Sequence, residues 1–159
     1  MRQALKEAKK AFDLEEVPVG AVLVKDGKII ARAHNQMELL KDATAHAEML
    51  CLTAGSVALS NWRLLDTTLY TTLEPCMMCA GALFNTRVKR LVWGAPDLRV
   101  GAHGSFLNLF EKEHPMHTVE ICSRVLEAES AELMRMFFQK RREKKECSIT
   151  SSEDLLKLS

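Results

Sequence analysis

His46 and Glu48 stand two residues apart, and thirty residues beyond the histidine the chain reads Pro75-Cys76-Met77-Met78-Cys79. One imidazole and two thiols make three of the four corners of a Zn²⁺ tetrahedron. The open corner can take water, which is the layout of a catalytic rather than a structural site. A carboxylate beside such a metal, not needed to bind it, is suited to general acid/base work. Glu48 is therefore the candidate proton carrier, and His46, Cys76 and Cys79 are the candidate metal ligands.

Other chemistries of a Cys-x-x-Cys pair fit less well. A thioredoxin-like redox pair is poorly matched by Met-Met between the cysteines. A zinc ribbon needs a second such pair, and none is present. Two ordinary buried cysteines would leave the His-x-Glu segment unexplained. Geometry adds a demand. Residues two apart on a helix point to nearly opposite sides, so His46 and Glu48 can converge only at a helix start. Cys76 and Cys79, three apart, share one helix face, and a helix N-terminus favours their thiolates. Two helix N-termini must therefore face one point.

The elements able to do this are legible from pattern. Residues 2–14 read as a helix with Leu5, Ala8, Phe12 and Leu14 on one face. Residues 17–24 and 29–33 read as strands joined by a tight Asp26-Gly27 turn. A buried helix is predicted over 45–59, capped by Asp42 or Thr44. A strand follows within 64–73, then a helix from Pro75 to about Asn85, Pro75 being tolerated at a first helical position. A strand at 88–94, an irregular stretch to 116 with a short helix over 106–111, and a strand at 118–122 come next. The last helix is predicted over 127–145. This order describes a three-layer α/β domain with one antiparallel hairpin and parallel crossovers. Residues 1–146 form the predicted domain, and the polar stretch 147–159 a tail.

Bulk properties bound the function. At 159 residues, 47% hydrophobic and 27% charged, the chain suits one globular domain. The net charge of +1 excludes a strongly basic nucleic-acid binder, so any such reading must rest on a local patch. No apolar run approaches the roughly 20 residues of a membrane span. Without a secretory signal, and with five cysteines, a reducing cytoplasm is expected.

Further candidates are weighed singly. Asn35, after a predicted strand, is either a turn residue or an amide reading the edge of a base. Asp97 either caps a turn or touches a ribose hydroxyl. The final helix carries Phe137-Phe138 just before Gln139-Lys140-Arg141-Arg142-Glu143-Lys144-Lys145. That run is either a solvated helix end or an aromatic platform with phosphate-binding charge beside it. His34 and His103 could line a pocket, and they, His114 and His117 are taken as non-ligands. Trp62, Trp93 and the methionines are taken as structural.

With these residues together, the chain resembles the zinc nucleoside and nucleobase deaminases, whose signature pairs His-x-Glu with Pro-Cys-x-x-Cys. It is most similar to the bacterial tRNA-specific adenosine deaminase family. Segments 16–22, 34–35, 44–48, 69–82, 94–97 and the Phe137-Phe138 stretch carry the resemblance. It implies a cytidine-deaminase-like fold, a five-stranded mixed sheet with helices on both faces. It also implies one Zn²⁺ per subunit, a homodimer, and a tRNA anticodon stem-loop as substrate, with the wobble adenosine (of an arginine tRNA) converted to inosine. By the same resemblance Glu48 shuttles protons, Asn35 contacts the flipped base, Asp97 borders the nucleotide, and Phe138, Arg141 and Arg142 approach the anticodon loop. A small-molecule deaminase of the guanine, cytosine or pterin type shares the metal segments. A non-catalytic zinc-stabilised RNA-binding module is the remaining alternative, which the spare carboxylate of Glu48 disfavours.

Overall fold

A computed structural model describes residues 1–111, 114–115 and 117–156, the last ten of these as backbone only. The elements are α1 (Arg2–Asp13), β1 (Gly20–Lys25), β2 (Lys28–His34), α2 (Met37–Leu40), α3 (Ala47–Ala58), β3 (Thr67–Leu73), α4 (Met77–Thr86), β4 (Arg90–Ala95), β5 (Glu120–Cys122) and α5 (Glu127–Leu156). The five strands form one mixed sheet in the order β2-β1-β3-β4-β5. β1 runs antiparallel to β2 and β3, while β3, β4 and β5 are parallel. α1 and α5 pack on one face; α3 lies on the other, with α4 beside it. This is the expected three-layer α/β architecture.

Sequence chemistry explains the main joints. Asp26 and Gly27 both have positive φ, 47° and 72°, as a two-residue turn matched to strand twist requires. The parallel β3–β4 pair needs a crossover, which α4 supplies. Leu23, Leu64, Leu69, Leu83 and Leu91 are fully buried at the centre.

Several elements depart from the sequence expectation. α1 buries Ala4, Glu7, Ala8 and Ala11 rather than the larger apolar face, and Leu14 is exposed. The reason is close approach: a Cβ on Gly20 would lie 2.2 Å from both Ala4 O and Ala8 N, so the helix rests small residues on the strand backbone. α3 begins after His46, not at Asp42 or Thr44. Asp42 instead accepts bonds from the Thr44 N–H and hydroxyl in a local turn, at 2.8 and 2.7 Å. Pro75 precedes α4, whose N-cap is Cys76. The short α2 was not expected, and no helix forms over 106–111. That segment is turns with one bridge to His103, its N–H groups donating back to Gly101 and Ala102. α5 continues to Leu156 instead of ending near 145; residues 157–159 of the expected tail lie outside the described residues. Among the described residues, no helix is long and apolar enough to cross a membrane.

Candidate active site

His46 and Cys76 occupy the same local position in two different helices. Each is an N-cap with extended backbone, His46 at φ −69°, ψ 151° and Cys76 at φ −72°, ψ 173°. Glu48 is thus the second residue of α3, and Cys79 the third of α4. The expected convergence of two helix starts is achieved by placing His46 outside its helix, which removes the opposite-side conflict with Glu48.

The three donors converge closely. His46 Nδ1 lies 3.6 Å from Cys76 Sγ and 3.5 Å from Cys79 Sγ, and the two sulfurs are 3.7 Å apart. Tetrahedral bonds of about 2.3 Å to sulfur and about 2.0 Å to nitrogen would separate sulfur from sulfur by about 3.8 Å and sulfur from nitrogen by about 3.6 Å. The donor set and its spacing therefore fit zinc. Among the described residues, this is the one group of three or more His, Cys, Asp or Glu side chains close enough to hold a metal ion.

Electrostatics follow from the contacts. The hydrogen bond with Cys79 stabilises the Cys76 thiolate and pulls its pKa down to about 4, against the opposing effect of burial. Cys79 is pushed up by the same bond and by its own burial. His46 is raised by its bond to Cys76. Glu48 is 3% exposed, and burial raises its pKa, opposed by backbone hydrogen bonding and by His46. Cys51, buried one turn along α3, is pushed up to about 12 by desolvation and is chemically quiet.

A cavity of about 220 Å³ opens on this cluster, lined by His46, Cys76 and Glu48 together with Asn35, Asp97, Val17, Val19, Met37 and Met134. Asn35 is buried, and its Nδ2 donates to Glu16 at 3.2 Å. Asp97 caps a turn, accepting the Arg99 N–H at 3.0 Å, and still faces the cavity. Both readings of Asp97 are thus compatible. A larger groove of about 540 Å³ shares Leu73, Asp97, Arg99 and Met134 with the cavity and extends to Phe138 and Arg142 on α5. The Arg99 guanidinium lies 5.6 Å from the Phe138 ring.

Not every candidate is gathered here. Arg141 faces the other way, 5.4 Å from the Phe137 ring and 3.9 Å from Glu38. His34 lies 3.9 Å from Glu7, and His103 packs edge-on against Trp93 and Phe110; neither lines the cavity. Trp93 is in the core, while Trp62 is exposed beneath the Arg63 guanidinium. Sequence reasoning missed Glu16 and Glu74, both buried carboxylates at the site. Each lies within a segment that carries the resemblance, Glu16 in 16–22 and Glu74 in 69–82, without a role assigned to it there, and that placement was the available signal.

The family model described as MafB19-like deaminase matches residues 1–142. The chain is 57% identical over 157 residues to the chloroplastic tRNA(adenine(34)) deaminase of Arabidopsis thaliana, covering 89% of this chain but only 12% of that much longer protein. It is 49% identical over 148 residues to the tRNA-specific adenosine deaminase of Bacillus subtilis, covering 93% and 92% of the two chains. A structure solved in a study of A-to-I editing by tRNA:A34 deaminases superposes with a TM-score of 0.80 at 44% identity, covering 84% and 96%. A deaminase domain over nearly the whole chain, with near full-length relatives of one kind, places this enzyme in the family of tRNA-specific adenosine deaminases.

Proposed function

We propose that the enzyme converts the wobble adenosine of a tRNA anticodon, that of an arginine tRNA, to inosine, with zinc held by His46, Cys76 and Cys79. One observation carries this reading: the three-donor cluster and the buried Glu48 share one cavity, and that cavity continues into a groove lined by Phe138 and Arg142.

Zinc bound by these donors would supply an acidified water, making hydroxide available near neutral pH. Glu48 takes the proton from the water that adds to C6 of the adenine and passes it to the ring nitrogen. It then takes the proton of the new C6 hydroxyl and passes it to the amine; the C6–N bond breaks, ammonia leaves and inosine remains. The burial that raises its pKa suits Glu48 to hold a proton between these transfers. Asn35 meets the edge of the flipped base and Asp97 the ribose. Phe138 offers a stacking face and Arg142 a phosphate contact for flanking nucleotides. Arg141, turned toward Glu38, is left with no more than an outer phosphate.

A base must leave its stack to reach such a cavity, which costs least in a loop. The family match over residues 1–142 supports a deaminase unit ending near residue 146, with 147–159 as an appendage. The family resemblance supports a homodimer, and free thiol ligands suit a reducing, tRNA-containing compartment such as the cytoplasm.

The test is inosine formation on an anticodon stem-loop, run beside free adenosine, guanine and cytidine, with metal content measured on the same preparation. Turnover of guanine or cytidine with the stem-loop untouched would sink the reading in favour of a small-molecule deaminase. Zinc binding without any turnover would favour a binding module.

A further inference from the structure

Glu74 is 1% exposed, immediately before the Pro75–Cys79 segment. A carboxylate so deeply buried needs donors, and all of its donors come from one loop. Oε1 accepts the His103 N–H at 2.7 Å and the Ser105 N–H at 3.2 Å; Oε2 accepts the Asp97 N–H at 3.1 Å and the Ser105 hydroxyl. The loop is tied again to the metal segment. The Ala102 N–H donates to Pro75 O at 2.9 Å, and Gly101 bridges to Cys76. A Cβ on Gly101 would lie 2.5 Å from the Glu74 carboxyl carbon and 2.6 Å from Asp97 O, so the loop is wound onto the carboxylate as tightly as a glycine permits.

The same loop carries Asp97, Arg99 and Val100 to the cavity wall and sets Arg99 over Phe138. The side-chain hydrogen bonds of Glu74 go to Asp97, His103 and Ser105 rather than to His46, Cys76 or Cys79. We propose that Glu74 is a positioning residue: its carboxylate anchors residues 97–105 and so fixes Asp97 and Arg99 relative to the metal donors that follow it in sequence. The choice of substrate in the test rests on the adenosine-deaminase reading; the anchoring itself does not.

The test uses the zinc-loaded full chain and the variants Glu74→Gln, Ser105→Ala and Gly101→Ala. Glutamine keeps the shape but sets an NH₂ against N–H donors, and Ser105→Ala removes one bond from the loop side at little risk to folding. KM for the anticodon stem-loop should rise by about tenfold or more in Glu74→Gln, with kcat changed far less and zinc content unchanged. Ser105→Ala and Gly101→Ala should move KM the same way. Independently of activity, trypsin should cut after Arg99 about tenfold faster in Glu74→Gln, while cutting after the exposed Arg63 keeps its wild-type rate. Cleavage after Arg99 at the wild-type rate would overturn the proposal, as would a loss of zinc and kcat with KM unchanged. If the wild type forms no inosine, the functional reading fails, and the Arg99 cleavage rates still decide the anchor.

Discussion

Asn35 donates its Nδ2 to Glu16 at 3.2 Å, and Glu16 also accepts the backbone N–H groups of Glu38, at 3.2 Å, and Leu39, at 2.8 Å. Glu16 acts as an acceptor in all three contacts, so the NH₂ end of the Asn35 amide must face it, which leaves Oδ1 for a donor in the cavity. Glu16→Gln breaks that logic, because its NH₂ replaces one acceptor oxygen and must confront either the Leu39 N–H or the donors from Asn35 and Glu38. A fall of kcat/KM on the stem-loop by about 10–100-fold is expected, the range for a hydrogen bond to a buried charge. An unchanged kcat/KM would show that Glu16 does not set the amide.

Glu48→Gln removes the proton carrier and keeps the shape. We predict a drop in kcat of about 10²–10⁴-fold, the usual contribution of a positioned acid/base group, with zinc content as in the wild type. Metal analysis and single-turnover rates on one preparation check both halves. A variant that turned over normally would take Glu48 out of the mechanism.

Metal removal should uncover a graded set of thiols. After chelation, Cys76, with a pKa near 4, should be alkylated by iodoacetamide as readily at pH 6 as at pH 8, because it is already a thiolate at both. Cys51, pushed up to about 12, should stay unmodified until the chain unfolds. Peptide mass spectrometry reads both, and zinc should protect Cys76. Rapid labelling of Cys76 in the loaded protein would contradict its role as a ligand.

Gly20→Ala should cost about 3 kcal/mol, the upper part of the range for overpacking, because the atoms it meets are backbone of α1 and cannot rotate away. Urea unfolding measures it. A loss under about 0.5 kcal/mol, the scale of an ordinary surface substitution, would mean that the helix lifts off the strand freely.

The convergence of His46, Cys76 and Cys79 beside Glu48 was readable from spacing, because a three-donor cluster constrains residue type and separation together. The sheet was readable because β1, β2 and β3 are β-branched runs with a decisive Asp-Gly turn. The face of α1 was not, since hydrophobic periodicity ranks Leu5 and Phe12 above the alanines, and only the nearness of Gly20 reverses that order. The stretch over 106–111 reads as a helix from its own pattern, yet its N–H groups turn back onto Gly101 and Ala102, in a loop whose preceding part is wound around the distant carboxylate of Glu74, which nothing local announces. Arg141 and Arg142, adjacent in the run, face different surfaces of α5, Arg142 the groove with Phe138 and Arg141 the side of Phe137 and Glu38, a distinction that charge alone does not carry.

Because His46 and Cys76 each end an extended segment just ahead of a helix, with α3 and β3 between them, the complete ligand set does not exist until the chain has folded. Cys76 and Cys79 are local to each other, and a nascent chain could catch an ion with that pair alone. The imidazole arrives only when α3 has docked on the sheet. With zinc held as proposed, loading would be a capture followed by a lock, and in the interval between them the two sulfurs would be open to oxidation or to a competing soft metal.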